Sequence, residues 1–246
     1  WRDGAKPAQE AYARVAEAIC QFEPVTMGVS KEQYTNARAM LPKGVRVVEM
    51  SSNDAWMRDM APAFVINGSG TVRGVDWGFN AWGGLAETNG HIDDVACFVK
   101  PGEVACIWTE DPEDPFYGVS RSAYEQLSQA VDAKGRRLKV HKICMPKKPV
   151  YIEKGFRVDN CGKSLPRLSG DLCTASYVNF LTVNGGIIVP QYGDENDELA
   201  LSQIAELFPG RKAVGVYTRE IVYGGGNIHC VTMQQPLGGG EGYETI

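Results

Sequence analysis

The sequence is short of the features that mark several common classes of protein. It has only 3 histidines, and its 7 cysteines are scattered without a CxxC pair, which argues against a disulfide framework and a zinc ribbon. No apolar run approaches the roughly 18 residues of a membrane-spanning helix, and we expect no leader peptide, because the first residues lack the charged-then-apolar pattern of one. Lysine and arginine number 25 against 30 acidic residues, so no broad basic surface exists for nucleic acid or anionic lipid. We therefore expect a cytoplasmic protein whose ligand is a small cation.

The chain is long enough to bury a proper core. It has 246 residues, of which 43% are hydrophobic, and this excludes a disordered chain. No stretch is rich enough in Pro, Gly or Ser to act as a linker. We expect one domain over residues 1–246.

A pattern of strand, helix and strand recurs along the sequence. It appears over residues 23–66 and 185–233, and more weakly over residues 102–146. Units of roughly 40 to 50 residues that cannot bury their helices alone indicate modules packed around an axis. An ordinary open α/β sheet shows the same alternation, so periodicity alone predicts an α/β fold and leaves both arrangements open.

The stretch GGGNIHCVTMQQP, residues 224–236, joins three glycines to a histidine and a cysteine. Glycine permits backbone angles and close approaches that other residues exclude, although glycine-rich turns are common for purely structural reasons. Read as a strand, the segment would point His229 and Cys230 to opposite faces. That interpretation excludes His229 as the partner of Cys230.

The other two histidines stand in different settings. His141 lies in the apolar-alternating LKVHKICMP and has the setting of a structural histidine. His91 lies in ETNGHIDDVACFV, where Asp93 follows two positions later. This spacing would place His91 and Asp93 on one face, where both can contact a ligand.

A third polar stretch, NDAWMRDMAP, carries Trp56 and Asp59. A carboxylate beside an indole face can bind a planar cation by hydrogen bonds at its edge and by cation–π attraction at its face. The alternative is a surface salt bridge of Arg58 beside a core tryptophan. Together, a cysteine, a His-x-Asp pair and a further carboxylate describe a nucleophile, an acid/base and cation-binding groups.

These residues and their surroundings resemble the agmatine deiminase family of the guanidine-modifying pentein superfamily. The motifs that carry the resemblance span nearly the whole chain and are WRDGAKPAQEA, NDAWMRDMAP, GVDWGFNAWGG, ETNGHIDDVACFVKPGEVACIWTED, ASYVNFL, VPQYGDENDELAL and GGGNIHCVTMQQP. The resemblance implies a pentein fold, a β/α-propeller of five ββαβ modules around a pseudo-fivefold axis. It also implies hydrolysis of agmatine to N-carbamoylputrescine and ammonia, a reaction of polyamine metabolism, without a metal or an organic cofactor.

The resemblance also assigns roles residue by residue. Cys230 matches the nucleophile, His91 the acid/base, Asp93 the carboxylate beside it and Asp59 the carboxylate that holds the guanidinium. Trp56 falls where the family places an aromatic side chain near the substrate. We expect Gly225 and Gly226 to shape the turn that presents the nucleophile to the substrate. The implied partner is the cationic guanidine alone, with no nucleic acid and no membrane, and a homo-oligomer stays open.

The sequence departs from the family pattern at one place. The family has a module-length stretch between FNAWGG and ETNGH that supplies a second guanidinium carboxylate, a Glu, whereas NAWGGLAETNGH joins the two motifs directly here. Fewer than five modules are therefore visible. We expect the natural polypeptide to be longer than 26.9 kDa, with residues absent between Asn80 and Thr88 and before Trp1.

Three functions stay open from the sequence. The first is hydrolysis of agmatine, and the second is a related pentein reaction on arginine or another guanidine. The third is a truncated protein that binds its ligand without catalysis. A Cys–His protease is remote, because no papain-type signature surrounds any cysteine.

Overall fold

The computed structural model describes residues 1–52, 54–75, 91–156 and 167–238. The junction between Asn80 and Thr88, most of GVDWGFNAWGG and the stretch ETNG lie outside these residues. The helices are α1 Lys6–Cys20, α2 Tyr34–Met40, α3 Met57–Met60, α4 Tyr117–Gln129, α5 Asp197–Leu207 and α6 Arg219–Val222. The strands are β1 Thr26–Val29, β2 Arg46–Glu49, β3 Ala63–Ile66, β4 Val72–Val75, β5 Ala96–Lys100, β6 Glu103–Trp108, β7 Lys139–Cys144, β8 Leu181–Val183, β9 Gly186–Gln191 and β10 Lys212–Tyr217.

Two parts of the chain have the order strand, strand, helix, strand. In the first, β5 pairs antiparallel with β6, and β6 pairs parallel with β7 after the crossover through α4. In the second, β8 pairs antiparallel with β9, and β9 pairs parallel with β10 after α5. The hairpin between β8 and β9 turns at Gly185, whose φ of +73° belongs to the left-handed region that favours glycine. The prediction of an α/β fold is confirmed.

The N-terminal part is built from smaller pieces. Strands β1 and β2 pair parallel around α2, and β3 and β4 form an antiparallel hairpin. Helix α3 lies between them and ends where Ala61 becomes extended before Pro62, as the residue before a proline tends to. The motif NDAWMRDMAP thus enters a single helical turn before the hairpin.

Two of the apolar clusters among the described residues lie near the cysteine segment. The larger cluster packs β6, β7 and β9 against α5 and against buried residues between 173 and 180. The other packs α1 against β8, β9, β10 and α6, and it includes Ile228 beside the cysteine turn. In α1, Ala8, Ala11, Val15 and Ile19 recur at three- and four-residue spacings and are buried. Both clusters therefore border the segment that carries Cys230.

Within the described part of the chain, none of the helices has the length and apolar character to cross a lipid bilayer.

Candidate active site

Cys230 lies in a tight turn, and the interpretation of residues 224–236 as a strand is wrong. The backbone N–H of Val231 donates to the carbonyl of Asn227 over 3.1 Å, and that of Thr232 donates to His229 over 3.2 Å. The buried Asn227 side chain accepts from the N–H of Ile228 over 2.9 Å. Side-chain alternation along a strand therefore does not apply to this segment.

The glycines before the turn are needed for space and for backbone conformation. A Cβ at Gly226 would lie 2.9 Å from Sγ of Cys230 and 2.8 Å from the indole of Trp56, closer than carbon atoms approach without displacement. Gly225 has a φ of +114°, which side chains disfavour. The turn can thus bring the cysteine against the indole only with glycine at these positions.

The sulfur of Cys230 is buried among polar groups. The residue is 5% exposed, its thiol lies 3.3 Å from Oδ2 of Asp93, and the amide of Asn179 donates to Sγ over 3.2 Å. Burial raises the pKa of the thiol, and the charges of Asp94 and Asp93 raise it further. The resting form is consequently a neutral thiol, and a bound cation would favour the thiolate.

Asp93 joins the cysteine to the histidine beside it. Nδ1 of His229 lies 2.7 Å from Oδ2 of Asp93, the same oxygen that accepts the thiol. Burial alone would raise the pKa of Asp93, but the hydrogen bond and charge of His229 lower it below its ordinary value. Because an ionised carboxylate only accepts, Nδ1 carries the proton of this bond. The expectation that His229 and Cys230 diverge is therefore wrong, since both contact Asp93.

His91 and Asp59 form a second polar pair near the first. Nδ1 of His91 lies 3.7 Å from Oδ1 of Asp59, and the chain passes from His91 directly into the short turn Ile92–Asp94 that carries Asp93. Burial raises the pKa of Asp59 above its ordinary value. The charge of His91 lowers this pKa, whereas the charge of Asp93 raises it further. The structure thus brings together Asp59, His91, Asp93 and Cys230.

Arg58 fixes the cysteine turn rather than forming a surface salt bridge with a local aspartate. Its backbone N–H donates to the carbonyl of Cys230 over 2.9 Å, and its guanidinium donates to the carbonyl of His229 and to Gln234. Trp56 is half-buried and packs against the apolar cluster that contains α1. The motif NDAWMRDMAP therefore contributes both to the core and to the site.

One group of the described residues has the spacing of a metal site. The ligand atoms of Asp93, Asp94 and Cys230 lie within 4.8 Å of one another. Asp93 is bonded to His229, and Asp94 accepts from Asn179 over 2.9 Å. Since Oδ2 of Asp93 and Oδ1 of Asp94 each already accept a hydrogen bond from a protein donor, we assign these groups to the polar network of the cysteine.

Asn179, Asp94 and His229 are site residues that sequence reasoning missed. Asn179 belongs to ASYVNFL, which carried the resemblance without a role for this side chain, and Asp94 directly follows Asp93. Asn179 lies in the connection between β7 and β8, where residues 167–180 contain no helix or strand. The sequence does contain a signal for Asn179, namely an asparagine among apolar residues. If such a residue is buried, its amide needs hydrogen-bond partners.

The chain matches one protein family along nearly its whole length. The model described as Porphyromonas-type peptidyl-arginine deiminase matches residues 1–88 and 85–236. The chain belongs to this family. The predicted resemblance is confirmed by relatives whose names contain agmatine deiminase.

Two relatives show the extent of the similarity. The chain is 46% identical to a "Putative agmatine deiminase" of Lactococcus lactis subsp. lactis, over 96% of this chain and 89% of the relative. It is 39% identical to an agmatine deiminase of Pseudomonas fluorescens, with 96% and 89% covered. Among solved structures, an agmatine deiminase of Enterococcus faecalis matches with 43% identity and a TM-score of 0.92, over 96% of this chain and 90% of the other.

The alignments also show an internal difference in length. The match to the Lactococcus relative runs over 326 positions, whereas 96% of 246 residues is about 236 residues, so roughly 90 positions face no residue of this chain. The two matches to the family model meet at residues 85–88.

Proposed function

We propose that this chain hydrolyses agmatine to N-carbamoylputrescine and ammonia through a covalent intermediate on Cys230. One observation carries the proposal: the thiol of Cys230 and the ring of His229 share one oxygen of Asp93, in a chain that matches agmatine deiminases along 96% of its length. A nucleophile beside an ionised carboxylate suits a cationic electrophile.

Binding would orient the guanidinium and activate the sulfur. Asp93 and Asp59 accept hydrogen bonds from the edge of the guanidinium, and the indole of Trp56 lies against its face. Gly225 and Gly226 would let the turn present the sulfur of Cys230 to the guanidinium carbon. The positive charge, close to the sulfur in a site with little water, then lowers the pKa of Cys230.

The chemistry follows in two balanced steps. The thiol of Cys230 first releases its proton to solvent. The thiolate attacks the guanidinium carbon to form a C–S bond, the C–N bond breaks, and ammonia leaves with a proton that His91 donates. His91 then takes a proton from water, and the hydroxide adds to the thiouronium carbon. The C–S bond breaks to regenerate the thiolate, and the hydroxyl proton passes to the released ammonia, so that the carbonyl of the product forms. Neither step changes the oxidation state of any atom.

We also propose that the fold is a pentein propeller from which one module is absent in this sequence. The two strand–strand–helix–strand units support the module type, and the roughly 90 unmatched positions that meet near residues 85–88 support the place of the gap. A Glu in that module would be the second guanidinium carboxylate. An intact mass of the natural polypeptide equal to 26.9 kDa would contradict the longer chain.

The activity is tested with the purified protein and three guanidines: agmatine, free arginine and a peptidyl-arginine. We expect ammonia and N-carbamoylputrescine from agmatine, and at least about a hundredfold lower kcat/KM for the other two. Cys230→Ser should abolish turnover, because a serine hydroxyl is far less available as an anion. Cys20→Ser, at the half-buried end of α1, is the matched control. Saturable binding of agmatine without product would instead indicate a binding protein, and preferred turnover of arginine would reassign the substrate.

A further inference from the structure

Asn179 is the only asparagine of the described residues with a hydrogen bond to the sulfur of Cys230. Its side chain is fully buried, at 0% exposed. Nδ2 donates to Sγ over 3.2 Å and to Oδ1 of Asp94 over 2.9 Å. Oδ1 accepts the backbone N–H of His229 over 2.9 Å. One amide group therefore contacts the cysteine, the residue before it and the buried carboxylate behind it.

The partners of Asn179 fix the orientation of its amide. A carboxylate oxygen accepts hydrogen bonds, and a backbone N–H donates them. Rotation of the amide by half a turn would place Oδ1 against Asp94 and the NH2 group against the N–H of His229, which opposes like groups at both ends. The NH2 group is thus directed to the sulfur by the surrounding protein.

This arrangement matters because two negative groups meet at the same nitrogen when the thiol ionises. The two hydrogens of Nδ2 serve one acceptor each, the carboxylate of Asp94 and the sulfur. Hydrogen bonds to charged groups are stronger than those between neutral groups, and loss of a donor between two buried anions leaves both less stable. We propose that Asn179 is a positioning residue that holds Sγ of Cys230 in place and stabilises its thiolate by a direct hydrogen bond.

This inference rests on the proposed function, in which Cys230 reacts as a thiolate. It goes further because it names a protein group that stabilises the thiolate of Cys230 whether or not the substrate cation is bound. The bond to Sγ would strengthen on ionisation, since an amide donates more strongly to a thiolate than to a thiol. A residue that merely fills space would support both protonation states equally.

The test measures alkylation of Cys230 by iodoacetamide as a function of pH, in the wild-type protein and in Asn179→Ala. Cleavage after Arg219 gives a tryptic peptide that begins at Glu220 and contains Cys230 as its only cysteine, so mass spectrometry follows this thiol alone. We expect the alkylation pKa to rise by about one unit in Asn179→Ala, as the loss of one such bond implies. Asn179→Asp should raise it more, because a carboxylate replaces the donor and adds charge.

Ser120→Ala is the matched control. Ser120 is also fully buried, but its hydroxyl donates to the carbonyl of Tyr117 over 2.9 Å within helix α4 and not in the cysteine turn. Both alanine variants should lose thermal stability, and only Asn179→Ala should shift the alkylation pKa. An unshifted pKa in Asn179→Ala, or an equal shift in both variants, would overturn the proposal. Iodoacetamide needs no agmatine, so failure of the wild type to turn over agmatine would contradict the proposed function without affecting this comparison.

Discussion

Two histidine–carboxylate pairs among the described residues have almost the same distance between nitrogen and oxygen. His229 and Asp93 are 2.7 Å apart, and His141 and Glu103 are 2.6 Å apart. Their exposures are also similar, with side chains 26% and 16% exposed in the first pair and 20% and 21% in the second. Neither distance nor exposure therefore separates a functional pair from a structural one.

The third neighbour separates the two pairs. The carboxylate of Glu103 also faces the amino groups of Lys100 at 3.3 Å and Lys139 at 3.7 Å, so lysines from its own sheet surround its charge. The oxygen of Asp93 that accepts from His229 faces the Cys230 thiol instead. The first arrangement is a surface ion-pair network, which contributes little to stability. The second places the thiol of Cys230 beside a negative charge, where the proposed cationic substrate would complete the site.

Replacing the carboxylate of each pair, in separate variants, should give the largest difference between the two pairs. We expect Asp93→Asn to lower kcat/KM by about a thousandfold, because it removes the charge that orients the guanidinium beside the sulfur. Glu103→Gln should leave kcat/KM within about twofold, a span expected of exposed pairs. Steady-state assays with agmatine measure both values. Comparable losses in the two variants would show that the pairs do not differ in function.

Replacement of His91 and of His141 tests whether only the histidine near Cys230 contributes to the reaction. We expect His91→Ala to lower kcat by about a hundredfold, the lower range for a general acid/base, and to slow alkylation of Cys230 by 2-chloroacetamidine. His141→Ala serves as the control on strand β7 and should be nearly silent in both assays. Equal losses from the two substitutions would remove the assignment of His91.

The packing around the sulfur can be changed without a change of charge. Gly226→Ala introduces a Cβ within 2.9 Å of Cys230 and 2.8 Å of Trp56. A displacement of the nucleophile by a fraction of an ångström should lower kcat/KM by about thirtyfold. Gly44→Ala, with no atom within 4 Å of the added carbon, should retain wild-type kinetics. Wild-type kinetics in Gly226→Ala would mean that the turn relaxes freely around the sulfur.

A smaller effect is expected from the second carboxylate of the site. Asp59→Asn should lower kcat/KM by about tenfold, because loss of a charged hydrogen bond of at least about 1.4 kcal/mol is one decade. The change should appear in KM as well as in kcat, since Asp59 would hold the guanidinium before and during attack. An unchanged kcat/KM would make Asp59 part of a structural pair with His91.

The smallest effect concerns the stability of the surface pair. The hydrogen bond from His141 holds the pKa of Glu103 below its ordinary value, and the bond and charge of Lys100 add to the lowering. A lowered pKa in the folded state stabilises the protein above the unfolded value of about 4.3, and the stabilisation is lost as the pH falls through the folded value. Thermal melts should therefore show Glu103→Gln slightly less stable than wild type near neutral pH. A difference that persists at pH 2 to 3 would show that the ionised carboxylate is not its source.

The alternation of strand and helix could be predicted because hydrophobic periodicity dictates it locally. The parallel pairing of β9 with β10 and the crossover through α5 follow from apolar strands at either end of an amphipathic helix. The arrangement of the separate sheets depends on contacts between distant residues, for which periodicity carries no information.

The candidate site was predicted less completely than the fold. Cys230 and Asp93 come together as the motifs indicated. The partnership of His229 could not be predicted once the segment was read as a strand, because the turn depends on bonds such as that of the Asn227 side chain to Ile228. Asn179 is 51 residues from Cys230 in sequence, and only packing brings its amide to the sulfur.

Capture of the covalent intermediate tests the central claim most directly. Wild-type protein is mixed with agmatine, quenched with acid within milliseconds to seconds, and digested to give the peptide that begins at Glu220. The account predicts a modification on Cys230 with the mass of agmatine less one ammonia, which appears before product is released and is absent from Cys230→Ser. Turnover of agmatine without this modification, or with the modification on a different cysteine, would contradict it.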